Sequence, residues 1–276
     1  MIIWLASYPK SGNTWVRLFL DNLLQKANDF NINKNIIGQF PIRSHFEKLS
    51  NNINDQGEFA KYCIKAQENL NLKDQVKIFK THNAYWNWDN GKYTFTDEKN
   101  TLGVIYIVRD PRNVITSILN YFHKKNYEEA FEFIKENKVL GGDESEIGLP
   151  TIVGSWSNHY KSWKKFKKNY LLIKYENLLS NPLDEFSKIT NYLKAITNLR
   201  YEEEKIVQSI KNCSFENLSQ QENKFGFNDN SKRNKEKKRK FFNLGPKNRW
   251  EIILEDEIKR KIELLFQDEM KELGYL

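Results

Sequence analysis

Ile2-Ile3-Trp4-Leu5-Ala6-Ser7 runs straight into Tyr8-Pro9-Lys10-Ser11-Gly12-Asn13-Thr14-Trp15. The first six residues read as a buried strand. The next few carry the lysine, glycine and hydroxyls of a tight turn, and an amphipathic pattern follows from residue 13. Strand, tight loop and helix start together make an anion site, because the loop amides and the positive end of the helix dipole favour negative charge at one spot. The residue order differs from a Walker A loop, G-x-x-x-x-G-K-[ST]. Here the lysine precedes the glycine and the first glycine is absent, so the turn is P-loop-like without the expected signature for ATP and magnesium.

Around this turn, apolar runs alternate with helical patterns, the pattern of a parallel α/β sheet. Strands are predicted over 2–7, 76–80, 103–108 and 170–174. The run 103–108 is almost wholly apolar, as in a central strand covered on both faces. Helices are predicted over 13–27, 111–123, 127–137, 152–168, 182–194, 200–211 and 255–272, with Pro111 and Pro182 where a first helical turn accepts proline. Residues 28–60 read as irregular and 83–100 as a polar-aromatic loop. The expected fold is three-layer αβα around a mainly parallel sheet. No Pro/Gly/Ser-rich linker divides the 276 residues, so a single domain over 1–276 is expected.

Apolar residues make up 39% of the chain and aromatics 14%, enough for a sizeable core. No apolar run reaches the roughly 18 residues of a membrane span, and the turn at 8–12 interrupts any signal-peptide core. Two cysteines, Cys63 and Cys213, are too few for a disulfide framework. These features point to a cytoplasmic protein without a transmembrane segment. The net charge of +8 suits an anionic ligand or nucleic acid. The basic stretch 232–240 is the candidate for the latter and reads better as a solvated or donor-covering loop.

Two further groups stand at strand ends. Arg109-Asp110-Pro111-Arg112-Asn113-Val114-Ile115-Thr116-Ser117 follows the strand 103–108. Arg109 leaves the carboxyl end, where open α/β sheets bind ligands. Ser117 lies eight residues on, about two helical turns, so that an Arg fork and a hydroxyl face a second phosphate. Lys80-Thr81-His82 ends the strand 76–80, and alternation puts Lys80 and His82 on one side, as a charge clamp and a general base. The histidines number four, His45, His82, His123 and His159. No acidic metal pair is evident, so no metal is expected.

Taken together, 8–15, 80–82 and 109–117 resemble the PAPS-dependent cytosolic-type sulfotransferases, in that family's order and at similar separations. Gly154-Ser155-Trp156-Ser157-Asn158-His159 with Trp163, Tyr175-Glu176-Asn177-Leu178, Ser214-Phe215, and Gly245 with Trp250 extend the resemblance over nearly the whole chain. It implies transfer of a sulfuryl group from 3′-phosphoadenosine 5′-phosphosulfate to a hydroxyl or amine. By that resemblance Lys10, Ser11, Gly12, Asn13 and Thr14 hold the 5′ phosphosulfate, and Trp15 stacks on adenine. Arg109 and Ser117 hold the 3′ phosphate, Tyr175 and Phe215 flank the adenosine, and Ser214 belongs to the same cofactor-binding set. His82, Lys10, Lys80 and Ser117 form the catalytic set. The family's C-terminal Arg-Lys-Gly is replaced by Asn243-Leu244-Gly245. Arg239, Lys240 and Lys247 are the candidates for restoring the charge. The family's dimer motif is not evident in 250–260, so monomer and dimer both stay open. Tyr85, Trp86, Trp88, Tyr121, Phe122 and His159 are expected to line the acceptor pocket, for a small-molecule, lipid or glycan hydroxyl. The competing readings are an ATP-dependent small-molecule kinase, which would need magnesium, and a non-catalytic nucleotide- or nucleic-acid-binding protein.

Overall fold

The computed structural model describes residues 1–25, 30–72, 75–142, 148–230, 236 and 239–276. Most of the basic stretch 232–240, and the end of the helix expected over 13–27, lie outside the described residues. The chain forms two compact units. One comprises Met1–Asn13, Gly38–Val108 and Phe133–Ile173; the other comprises Thr14–Ile37, Arg109–Glu132 and Lys174–Leu276.

The first unit is built on a five-stranded sheet. Its strands are β1 (Ile2–Ser7), β2 (Gly38–Gln39), β3 (Lys77–Thr81), β6 (Thr101–Val108) and β9 (Tyr170–Lys174), in the order β2-β3-β1-β6-β9. β1 is central and every one of its residues is buried. It pairs in parallel with β3, Leu5 opposite Lys80 and Ala6 opposite Thr81, and in parallel with β6, Ser7 opposite Ile107. The ends of β1 and β3 therefore fall side by side. The fold is mixed α/β around a central parallel sheet, as the alternation of apolar runs predicts.

Two short ribbons complete the strand set: β4 (Asn87–Trp88) with β5 (Tyr93–Thr94), and β7 (Lys138–Leu140) with β8 (Thr151–Gly154). Trp4 anchors the core beneath β1. Its indole N–H donates to Thr101 Oγ1 at 2.9 Å and Thr96 Oγ1 at 3.3 Å, and its ring meets Phe40, Phe79 and Phe95. Gly38 lets the edge strand approach closely, since a Cβ there would stand 2.7 Å from the Phe79 ring.

Several elements differ from the sequence reading. The region 28–60, read as irregular, contains β2, a 3-10 turn at Arg43–His45 and the start of α2 (Gln56–Asn71). The helix expected over 152–168 is instead β8 followed by α5 (Trp156–Lys164), because Gly154 takes φ +73° and Ser155 caps the helix, its side chain accepting from the Asn158 amide. The loop 83–100 carries β4 and β5 and contributes core. Trp86, expected in an acceptor pocket, is 8% exposed and packs on Phe59 and Phe95. His159, expected there too, is fully buried.

The second unit contains α1 (Asn13–Leu24) from residue 14, α3 (Pro111–Tyr121), α6 (Tyr175–Ser180), α7 (Pro182–Ile196), α8 (Glu203–Asn212) and α9 (Phe215–Phe225). The helix expected over 255–272 is broken at Phe266 into Asp256–Leu265 and Gln267–Glu272, with a short turn of helix at Trp250–Ile253 before them.

Candidate active site

In the first unit, β1 ends in a turn whose backbone bends sharply. Lys10 has φ +68° and Gly12 has φ +101°. Glycine adopts that region freely, whereas for a lysine it costs on the order of 1–3 kcal/mol. Left-handed residues on either side of Ser11 shape the kind of concavity that takes up an anion, while the Ser11 amide itself donates to the Tyr8 carbonyl at 3.3 Å. Ser11 lies at the centre, 0% exposed, and its Oγ has no hydrogen-bond partner within the protein. An orphaned buried hydroxyl in such a concavity fits a phosphate or sulfate oxygen. Asn13, at the helix start, pins the turn to the strand, its Nδ2 donating to the Leu5 carbonyl at 3.0 Å and to Ser7 Oγ at 3.2 Å.

His82 follows β3 directly and reaches across to the end of β1. Its Nδ1 lies 2.8 Å from the Ser7 carbonyl oxygen and 3.4 Å from Ser7 Oγ. A carbonyl only accepts, so Nδ1 carries the proton and, in the neutral ring, the lone pair belongs to Nε2. Lys80 and His82 are both half-buried, while Thr81 between them is 2% exposed, consistent with the expected alternation.

A second histidine stands behind the first. His159 Nε2 lies 3.2 Å from the His82 carbonyl and donates to it, and its Nδ1 accepts from the Tyr106 hydroxyl at 2.9 Å. Burial, reinforced by the neighbouring His82, pushes His159 down to about 3, so the ring is neutral at ordinary pH. The chain Tyr106–His159–His82–Ser7 thus holds the imidazole of His82 through backbone carbonyls on both sides. His159 has a framework role, and sequence spacing could not reveal it, because its partner is a main-chain atom.

In the second unit, Arg109 follows β6 and is 6% exposed. Its Nη1 donates to Ser117 Oγ at 3.3 Å, the two-turn return that the spacing predicts. Its guanidinium lies 4.1 Å from the Tyr175 ring centroid, and Trp15 meets Tyr175 edge-on at 5.8 Å. The structure therefore gathers Trp15, Arg109, Ser117 and Tyr175. Ser214 caps α9, its side chain accepting from the Asn217 amide. The Phe215 ring lies under Gly245, where φ is +51° and a Cβ would stand 2.4 Å from the ring. Thr14 opens this unit in the first turn of α1, half-buried.

Asp110 is committed elsewhere. It caps α3 and receives Arg112, Nη2 to Oδ2 at 2.7 Å. Asn248 is the residue that the sequence reading missed. Its Nδ2 donates to Ser117 Oγ at 3.1 Å. A neutral carboxamide in a loop gives no compositional signal. Among the described residues no cluster of His, Cys, Asp and Glu could hold a metal ion, and no helix is long and apolar enough to cross a membrane.

Comparison with known proteins places this geometry in a family. The family model for the sulfotransferase domain matches residues 2–274. A flavonol 3-sulfotransferase of Flaveria bidentis is 24% identical over 283 residues, covering 99% of this chain and 82% of that protein. Cytosolic sulfotransferase 5 of Arabidopsis thaliana is 25% identical over 289 residues, covering 99% and 80%. The crystal structure of mouse sulfotransferase SULT7A1 complexed with PAP superposes with a TM-score of 0.61 at 20% identity, covering 98% of this chain and 84% of that one. With a family model spanning nearly its full length and this P-loop-like sheet beneath it, the chain belongs to the sulfotransferase family.

Proposed function

We propose that this sulfotransferase transfers the sulfuryl group of 3′-phosphoadenosine 5′-phosphosulfate to a hydroxyl or amine of a small-molecule acceptor in the cytoplasm, with His82 as general base. The observation that carries the reading is the tautomer of His82. Its Nδ1 proton is held by the Ser7 carbonyl at 2.8 Å, which leaves Nε2 as the basic nitrogen at the end of the strand next to the Lys10 turn.

The donor supplies a sulfuryl group whose bond to the 5′ phosphate oxygen breaks as the bond to the acceptor oxygen or nitrogen forms. The residues divide the remaining work. His82 Nε2 takes the acceptor's proton, a contribution on the order of 10²–10⁴ in rate. Lys10 and the turn amides, with the orphaned Ser11 hydroxyl, stabilise the charge that builds on the leaving phosphate, and Lys80 faces the sulfuryl oxygens. Gly12, Asn13 and Thr14 shape the cradle. Arg109 and Ser117 hold the 3′ phosphate. Trp15, Tyr175 and Phe215 enclose the adenosine and Ser214 fixes the start of its helix. The transferring group bears less charge than a γ-phosphate, so positioning and hydrogen-bond donors suffice in this scheme.

The test is turnover of labelled donor with a panel of phenols, alcohols and amines, in buffer containing EDTA. Activity that persists in EDTA supports the scheme, whereas phosphoryl transfer from ATP that depends on magnesium refutes it. Replacing His82 with alanine should abolish turnover and retain binding of the desulfated nucleotide.

A further inference from the structure

The face of α3 carrying Asn113, Thr116 and Ser117 (positions i, i+3 and i+4, which share one side of a helix) holds a loop residue in a fixed pose. Asn248 is 8% exposed. Thr116 Oγ1 donates to its Oδ1 at 2.6 Å, and its Nδ2 donates to the Asn113 carbonyl at 3.3 Å as well as to Ser117 Oγ at 3.1 Å. The Asn113 carbonyl only accepts, which sets the amide with its nitrogen towards Ser117. The Trp250 amide donates to Asn113 Oδ1 at 3.0 Å and pins the loop on the same helix.

Ser117 Oγ accepts from Asn248 and from Arg109 at once. Both Nδ2 hydrogens of Asn248 are thereby used, and the Ser117 hydroxyl, whose oxygen accepts twice, keeps its own proton to donate beside the Arg109 guanidinium. Arg112 pairs with Asp110 and with Glu263, donates to the Tyr275 carbonyl at 2.8 Å and lies 3.9 Å from the Trp250 ring centroid.

We propose that Asn248 is a positioning residue for the donor's 3′ phosphate: by donating to Ser117 Oγ it turns that hydroxyl's proton towards the phosphate beside Arg109, and so sets how strongly this enzyme selects a 3′-phosphorylated nucleotide over one with a free 3′ hydroxyl. The proposal rests on the donor assignment above. The oriented hydroxyl strengthens a site that lacks the cationic pair that the resemblance expects at positions 243 and 244. One oriented hydroxyl adds a single hydrogen bond to the phosphate, so the selectivity that Asn248 confers is modest and easily removed.

The experiment is calorimetric titration of the wild type, Asn248→Ala and Asn248→Asp with adenosine 3′,5′-bisphosphate and with adenosine 5′-monophosphate. Asn248→Ala should weaken the bisphosphate about 10-fold and leave the monophosphate unchanged, because the Ser117 hydroxyl loses its fixed direction towards the 3′ phosphate. Asn248→Asp keeps the shape and adds a like charge, and should weaken the bisphosphate about 100-fold, again sparing the monophosphate. The ratio of the two ligands is internal to each variant, so a smaller folded fraction does not distort it. Variants that keep the wild-type ratio overturn the role of Asn248 while leaving the donor assignment standing. A wild type that binds neither nucleotide overturns the donor assignment itself.

Discussion

Replacing His159 with glutamine should make the protein less sensitive to acid, although it removes a buried, doubly hydrogen-bonded ring. In the folded chain His159 is held at about 3, below its ordinary 6.5, chiefly by burial and then by the charge of His82. Above pH 6.5 neither the folded nor the unfolded chain protonates it and the site adds nothing to the pH dependence. Below 6.5 the unfolded chain takes up a proton that the folded one refuses, so stability falls as pH falls. The slope approaches about 1.4 kcal/mol per pH unit down to about pH 3. Between pH 7 and pH 5 the loss attributable to this one ring is about 2 kcal/mol.

Glutamine is the informative replacement. Its amide nitrogen can stand where Nε2 does, donating to the His82 carbonyl, and it does not titrate. At pH 7 the variant should be less stable than wild type by about 1–2 kcal/mol for imperfect hydrogen bonds. On acidification to pH 5 it should lose about 2 kcal/mol less than wild type, because other groups titrate alike in both and cancel. Urea unfolding followed by tryptophan fluorescence at half-unit pH steps measures the difference. Stability–pH curves that run parallel from 7 to 5 would refute the claim that a refused proton on His159 underlies the wild-type slope.

Other substitutions test other parts of the site. His82→Ala should lower turnover by about 10²–10⁴-fold while calorimetry with adenosine 3′,5′-bisphosphate stays within a few-fold of wild type; comparable losses in both would make His82 a binding residue instead. Lys10→Met should reduce nucleotide affinity and turnover together, since that side chain serves the ground state and the leaving group alike, and steady-state kinetics with saturating donor would expose an unchanged rate. Gly245→Ala should weaken nucleotide binding and lower the thermal midpoint, because its Cβ would stand 2.4 Å from the Phe215 ring at a φ of +51°, a clash worth about 1–3 kcal/mol; a variant with wild-type melting and binding would show that the ring gives way freely.

The strands of the sheet were legible because burial on both faces leaves long apolar runs, and the runs at 2–7, 76–80, 103–108 and 170–174 lie within a residue or two of β1, β3, β6 and β9. β2 escaped notice because a two-residue edge strand leaves no period to read. α2 did leave one. Phe59, Cys63 and Ala66 fall at helical spacing on its buried side, and Asp55 three residues before Glu58 forms its cap, the side chain accepting from the Glu58 amide. The dense Asn, Gln and Lys content around these positions hid the pattern. β8 was read as helix because the pattern of α5 was carried backwards through Thr151, Ile152 and Val153, where β-branched side chains and the left-handed Gly154 favour a strand and a break. In the candidate site, charged groups at strand ends could be found by their chemistry. Tyr106, His159 and Asn248 could not, since each acts through a partner supplied by a distant part of its own unit.

That use of main-chain oxygens bears on how His82, the proposed base, is held. A carboxylate behind His82 would fix its tautomer, but it would also set a negative charge beside a turn shaped to collect anions. The Ser7 carbonyl fixes the same tautomer with a dipole and no net charge. It belongs to the strand that leads into the Lys10 turn, and Ser7 Oγ, which also meets His82 Nδ1, accepts from Asn13 at the turn's far end. His82 and the Lys10 turn are thus positioned by one residue of one strand. A change that shifts the turn should move the base with it, so substitutions at Asn13 should lower both nucleotide affinity and turnover although the side chain reaches neither reacting atom.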